Sequence, residues 1–181
     1  MRRIEAEHLV FVDECGTHTS MTRLYARAPK GERAYAKVPR NRGKNTTLLA
    51  SMSSEGMGPC LAVEGSTTKA LFEAYVERVL APSLRPGRVV VMDNLGAHRG
   101  DRVRELIEAR GCSLLYLPPY SPDFSPIEEA FSKLKALLRK AKARTREALV
   151  EAIGQALESV SAKDVRGWFG HCGYLLGAQP L

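Results

Sequence analysis

Val89, Val90, Val91 and Met92 are apolar at every position, and the run ends on Asp93. A strand without polar alternation has no face for water, so it is predicted to lie centrally in a sheet covered on both sides. Residues 8–14 (HLVFVDE) read the same way, as a buried strand ending at Asp13. Residues 113–117 (SLLYL) read as a third buried strand. The segments between these strands carry helical periodicity, and helices must therefore supply the covering layers.

Other elements fill in around this frame. Residues 22–28 (TRLYARA) alternate and predict a second strand, 45–53 (NTTLLASMS) a third, and 59–64 (PCLAVE) a short fourth, after the turn signal at 55–58. Their short connections predict an antiparallel meander. Ser66 and Thr67 are candidate caps for a helix to about Leu80, with Leu71, Phe72, Tyr75, Val76 and Val79 on one face. A short helix over 100–110 is stopped by Gly111. Ser125 is a candidate cap for a helix with Pro126 at its first position and acids in its first turn, running to Arg139 or beyond. A further helix covers about 145–160, and the aromatic, Gly-rich tail DVRGWFGHCGYLLG is expected to pack back on the domain. The result is a mixed α/β sheet, an antiparallel meander followed by parallel strands, with helices on both faces.

The 181 residues suit one domain, 1–181, with a core of ordinary size. No apolar run approaches the roughly 18 residues a membrane helix needs, and no signal peptide is legible, so a cytoplasmic protein without a membrane partner is expected. The net charge of +7 favours a polyanionic partner. Two basic blocks carry that excess. Lys30, Arg33, Lys37, Arg40, Arg42 and Lys44 face one acid, Glu32; Lys133, Lys135, Arg139, Lys140, Lys142, Arg144 and Arg146 face none. Such residues can neutralise DNA phosphates. Cys15, Cys60, Cys112 and Cys172 form no Cys-x-x-Cys pair and read as buried free thiols.

Three carboxylates then stand out: Asp13, Asp93 and Glu128, with 34 residues between the last two. Each alone is an ordinary turn, cap or helix-dipole residue. Together, at strand ends and a helix start, they could supply hard oxygen ligands to Mg²⁺ or Mn²⁺. His8, His18, Glu14 and Trp168 read as structural.

The segments FVDE (11–14), VMDNLGAHR (91–99) and LLYLPPYSPDFSPIEEAFSKLK (114–135) resemble the DDE transposases of bacterial insertion sequences in the Tc/mariner-like group. The resemblance implies an RNase H-like (integrase-type) sheet of about five strands. It implies that Asp13, Asp93 and Glu128 are catalytic ligands to two Mg²⁺ or Mn²⁺ ions, with Glu128 favoured over Glu129 by the Pro-Ile-Glu register. Asn94 and His98 match positions expected to support the site. Ser125 departs from the family's usual Asn, and both residues are good caps. The implied activity is metal-dependent DNA strand cleavage and strand transfer on double-stranded transposon ends and target DNA. Lys44, Lys133, Lys135, Arg139 and Lys140 are the expected DNA contacts. Tyr120 and Phe124 could stack on a base, although core packing is the plainer expectation for Phe124. The first catalytic strand begins by about residue 8, so the family's helix-turn-helix region is expected to be absent. A homodimer and a separately encoded helix-turn-helix product are the implied partners. A non-transposing RNase H-like nuclease, or a silent remnant that only binds DNA or protein, are the alternatives.

Overall fold

The computed structural model describes residues 4–176 apart from 42, 97, 99, 119 and 120. Five strands form one sheet: β1 (Leu9–Thr17), β2 (Thr46–Ser53), β3 (Gly56–Glu64), β4 (Val89–Met92) and β5 (Ser113–Tyr116), in the order β3-β2-β1-β4-β5. The first three pair antiparallel, and β1, β4 and β5 pair parallel. The mixed sheet expected from the order of elements is therefore present.

Five α-helices are present among the described residues. They are α1 (Lys69–Tyr75), α2 (Asp101–Glu108), α3 (Pro126–Ala141), α4 (Arg146–Glu158) and α5 (Ala162–His171). Thr68 rather than Ser66 or Thr67 caps α1, its side chain accepting from the Leu71 N–H at 3.3 Å. Beyond Tyr75 the helix widens into a π turn over Val76–Leu80, and a 3-10 turn holding Pro82 ends it. Ser125 sits at the N-cap of α3, but its side chain caps nothing. The tail is more regular than its glycines suggest: Ser161 and Asp164 form a reciprocal capping box that starts α5.

Each face of the sheet carries its own core. On one side Phe11, Cys15, Leu48 and Met52 meet Ile127, Phe131 and Leu134 of α3, Leu149 and Ile153 of α4, and Phe169 of α5. Phe169 meets Phe11 edge-on at 5.6 Å and Tyr174 at 6.0 Å, which packs the tail onto the sheet as expected. On the other side Val10, Val12, Val90 and Met92 meet Phe72, Tyr75, Val76 and Leu80, with Val103 and Ile107 of α2.

Four expectations are corrected. Residues 22–28 form no strand, and 22–39 is an exposed connection without regular structure. Alternation there has no sheet partner, and Tyr25 is 89% exposed. β5 is an edge strand, so its alternate residues face solvent rather than being buried throughout. Cys60 on edge strand β3 is exposed, while the other three thiols are buried. Phe124 is 52% exposed and is not a core residue. Arg42 and Tyr120 lie outside the described residues.

Candidate active site

β1 does not end at Asp13. Antiparallel pairing with β2 carries it on to Thr17, with Asp13 opposite Ala50. On its other side β4 stops at Met92, opposite Val12. Asp13 is thus the first residue of β1 beyond the parallel ladder, and Asp93 is the first residue beyond β4. Both carboxylates emerge at the carboxyl end of neighbouring parallel strands, where ligands collect in open α/β sheets.

Backbone and ring donors hold the two aspartates. The Glu14 N–H donates to Asp13 Oδ1 at 2.7 Å, and the Leu95 N–H donates to Asp93 Oδ1 at 3.3 Å. His98 Nδ1 also bonds Asp93 Oδ1. The His98 ring is fully buried, stacks on Phe72 at 4.2 Å, and has its carbonyl bonded by the Tyr116 hydroxyl at 2.9 Å. His98 therefore both packs in a core and touches the site. Asn94 follows Asp93 and is half-buried.

The third carboxylate comes from the first turn of α3, which packs on β1. Helical geometry separates the two candidates there. Glu129 and Lys133 lie one turn apart and face α5: Glu129 meets His171 at 2.9 Å, and Lys133 meets Asp164 at 2.7 Å. Glu128 and Lys135 lie two turns apart on another side, and Lys135 reaches the Cys15 thiol on β1. Cys15 is two residues from Asp13 on the same face of the strand. Glu128 is therefore the acid turned toward Asp13, in agreement with the Pro-Ile-Glu register.

Electrostatics report the convergence. Burial, then the charges of Glu128 and Asp93, push the Asp13 carboxyl up to about 7, against the lowering effects of the Glu14 N–H and His98. Burial also raises the Cys15 thiol to about 11, so it is no nucleophile near neutral pH. Among the described residues no three His, Cys, Asp or Glu side chains already stand close enough together to grip a metal ion. The carboxylates feel one another without sharing a coordination sphere.

The expected DNA contacts fall into two kinds. Lys133 is internal, donating to the Ser159 carbonyl at 2.9 Å and to Asp164, and it ties α3 to the start of α5. Lys44 pairs with Glu64 at 2.6 Å across the β2–β3 edge but keeps most of its side chain exposed. Lys135 lies beside Cys15, Lys140 is exposed and Arg139 half-buried, the last two in the final turn of α3. Arg144, in the same basic block, is also structural and donates to the Thr19 carbonyl at 2.8 Å.

Glu14, expected to be structural, directly follows Asp13. Its side chain is half-buried, and its Oε2 is fully buried without a protein partner.

Residues 8–150 match the DDE superfamily endonuclease family. The Transposable element Tcb1 transposase of Caenorhabditis briggsae is 29% identical over 105 residues, which are 56% of this chain and 38% of that protein. A pre-cleavage Mos1 transpososome superposes with a TM-score of 0.71 at 18% identity, covering 93% of this chain and 54% of that one. The Mos1 mariner paired end complex with Mn gives 0.69 at 20% identity, covering 92% and 53%. The chain thus spans about half or less of the length of these relatives, and the structural likeness identifies its sheet as RNase H-like. With most of its length matched to the family and its carboxylates at the carboxyl ends of the sheet, the chain belongs to the DDE superfamily endonucleases.

Proposed function

We propose that this chain is the catalytic part of a transposase, cutting and joining DNA strands with Asp13, Asp93 and Glu128 as its metal-binding carboxylates. One observation carries the reading. Two neighbouring parallel strands and the first turn of α3 bring three carboxylates near enough that, besides burial, the charges of Glu128 and Asp93 raise Asp13. A cluster of hard anionic oxygens in this state fits a divalent cation, Mg²⁺ or Mn²⁺. Mos1 mariner transposase has been solved in paired end complexes with Mn and with Mg, which supports the same choice.

The carboxylates would hold two such ions, which when bound supply Lewis acidity at a phosphoryl oxygen and an acidified water. The protein's own residues prepare the place. The Glu14 N–H and His98 fix one oxygen of each aspartate, leaving the other oxygens to face the ions. Lys135 adds positive charge beside Cys15, and Lys44, Arg139 and Lys140 extend a basic surface for duplex phosphates. Lys133 belongs to the scaffold. Strand transfer joins two ends, so a homodimer is the working form, and a separately encoded helix-turn-helix product would choose those ends.

The test is Mg²⁺-dependent nicking of duplex DNA. Wild type nicks, and Asp93→Asn keeps its thermal transition but loses nicking. Retained nicking by Asp93→Asn overturns the assignment. Preferential cutting of RNA–DNA hybrids would point instead to a non-transposing nuclease.

A further inference from the structure

Glu14 sits next to Asp13, yet strand alternation sends its side chain to the opposite face of β1. Val10 and Val12 pack in the α1–α2 core, and Glu14 continues that row. Three buried side-chain polar atoms among the described residues have no protein partner: Glu14 Oε2, Thr67 Oγ1 and His98 Nε2. Glu14 and His98 belong to this side of the sheet, and Thr67 adjoins the helix that covers it. His98 stacks on Phe72, a residue of the same core. Thr67 directly precedes the Thr68 cap of α1, the helix that carries Phe72. The β1–β4 register, continued beyond Val12 and Met92, sets Glu14 opposite Asn94, at the start of the loop that ends on His98.

Their hydrogen-bonding needs are complementary. His98 Nδ1 is taken up by Asp93, which leaves Nε2 to meet the core. Nε2 and the Thr67 hydroxyl can each exchange a hydrogen bond with water, and Glu14 Oε2 can accept one. A single water in reach of all three would meet these needs. Buried waters make about three such bonds.

We propose that Glu14 is a positioning residue of the carboxylate site, acting through water shared with Thr67 on His98 and so on the orientation of Asp93. This rests on the metal-site reading above. Partners one shell behind a ligand commonly change metal affinity by about 10–100-fold.

The measurement is Mn²⁺ affinity of the full chain, from the free-Mn²⁺ electron paramagnetic resonance signal, beside thermal melting. Glu14→Ala is expected to weaken Mn²⁺ binding about 10-fold. Glu14→Gln keeps an oxygen that accepts from water and is expected within about 3-fold of wild type. Thr67→Val removes the donor, is expected to weaken binding several-fold, and decides the matter if Glu14→Ala does not fold. Wild-type affinity in folded Glu14→Ala or in Thr67→Val overturns the proposal, as does a loss in Glu14→Gln equal to that in Glu14→Ala. If wild type itself binds no Mn²⁺, the metal-site reading fails and this inference fails with it.

Discussion

Asp13→Asn should stabilise the metal-free protein above neutral pH while weakening metal binding. In the fold the Asp13 carboxyl rises from 3.8 to about 7, chiefly through burial and then through Glu128 and Asp93. A group raised in this way adds stability that is fully present below its unfolded value and is lost as pH rises through its folded value. Between about pH 4 and pH 7 the unfolded chain releases this proton and the folded chain keeps it, so unfolding is favoured as pH rises. A shift of about three units corresponds to a loss on the order of 4 kcal/mol. Asparagine does not titrate and cancels that slope. Denaturant unfolding in EDTA at pH 4, 5, 6, 7 and 8 would measure the difference between wild type and Asp13→Asn, which removes contributions common to both. Stability of wild type relative to the variant should fall steadily from pH 4 to 7 and then level off. Saturating Mg²⁺ at pH 8 should raise wild type and leave the variant nearly unmoved. A difference independent of pH would refute the claim that Asp13 is buried among like charges.

Three further outcomes follow from particular contacts. Phe169→Ala, at a fully buried ring packed on Phe11 and Tyr174, should cost about 3–5 kcal/mol in denaturant unfolding. Lys133→Ala should lower the melting midpoint by releasing Asp164 and the Ser159 carbonyl, and should leave the salt dependence of DNA binding unchanged. Arg139→Ala and Lys140→Ala should do the reverse, each flattening the log–log salt dependence of duplex binding by up to about 0.9 with no change in melting.

Much of this fold was legible because burial and periodicity agree. Val89–Met92 is apolar throughout and lies between two cores, and α4 falls within the expected 145–160. The failures share a physical origin. Alternation in 22–28 describes a residue pattern, but a strand also needs a neighbour to pair with, and β2 takes the only place beside β1 on that side. Asp13 read as a strand end because its apolar run stops there. β1 continues because β2 pairs with its backbone as far as Thr17, regardless of side chain. The basic block of α3 read as one surface, whereas helical geometry splits it: Lys133 turns to Asp164 and Lys135 turns to Cys15. The Glu128–Glu129 choice rested on the register motif in sequence, and in space Glu129 is engaged by His171. Glu14 was invisible as a candidate because its signal is an unsatisfied buried oxygen, a property of packing.

The most direct test of the carboxylate trio is the Mn²⁺ concentration that half-saturates the protein, compared for wild type, Asp13→Asn, Asp93→Asn, Glu128→Gln and Glu129→Gln at pH 8. The first three variants should each bind at least 10-fold more weakly than wild type, and Glu129→Gln should match it. Wild-type affinity in Glu128→Gln, or a loss confined to Glu129→Gln, would contradict the account.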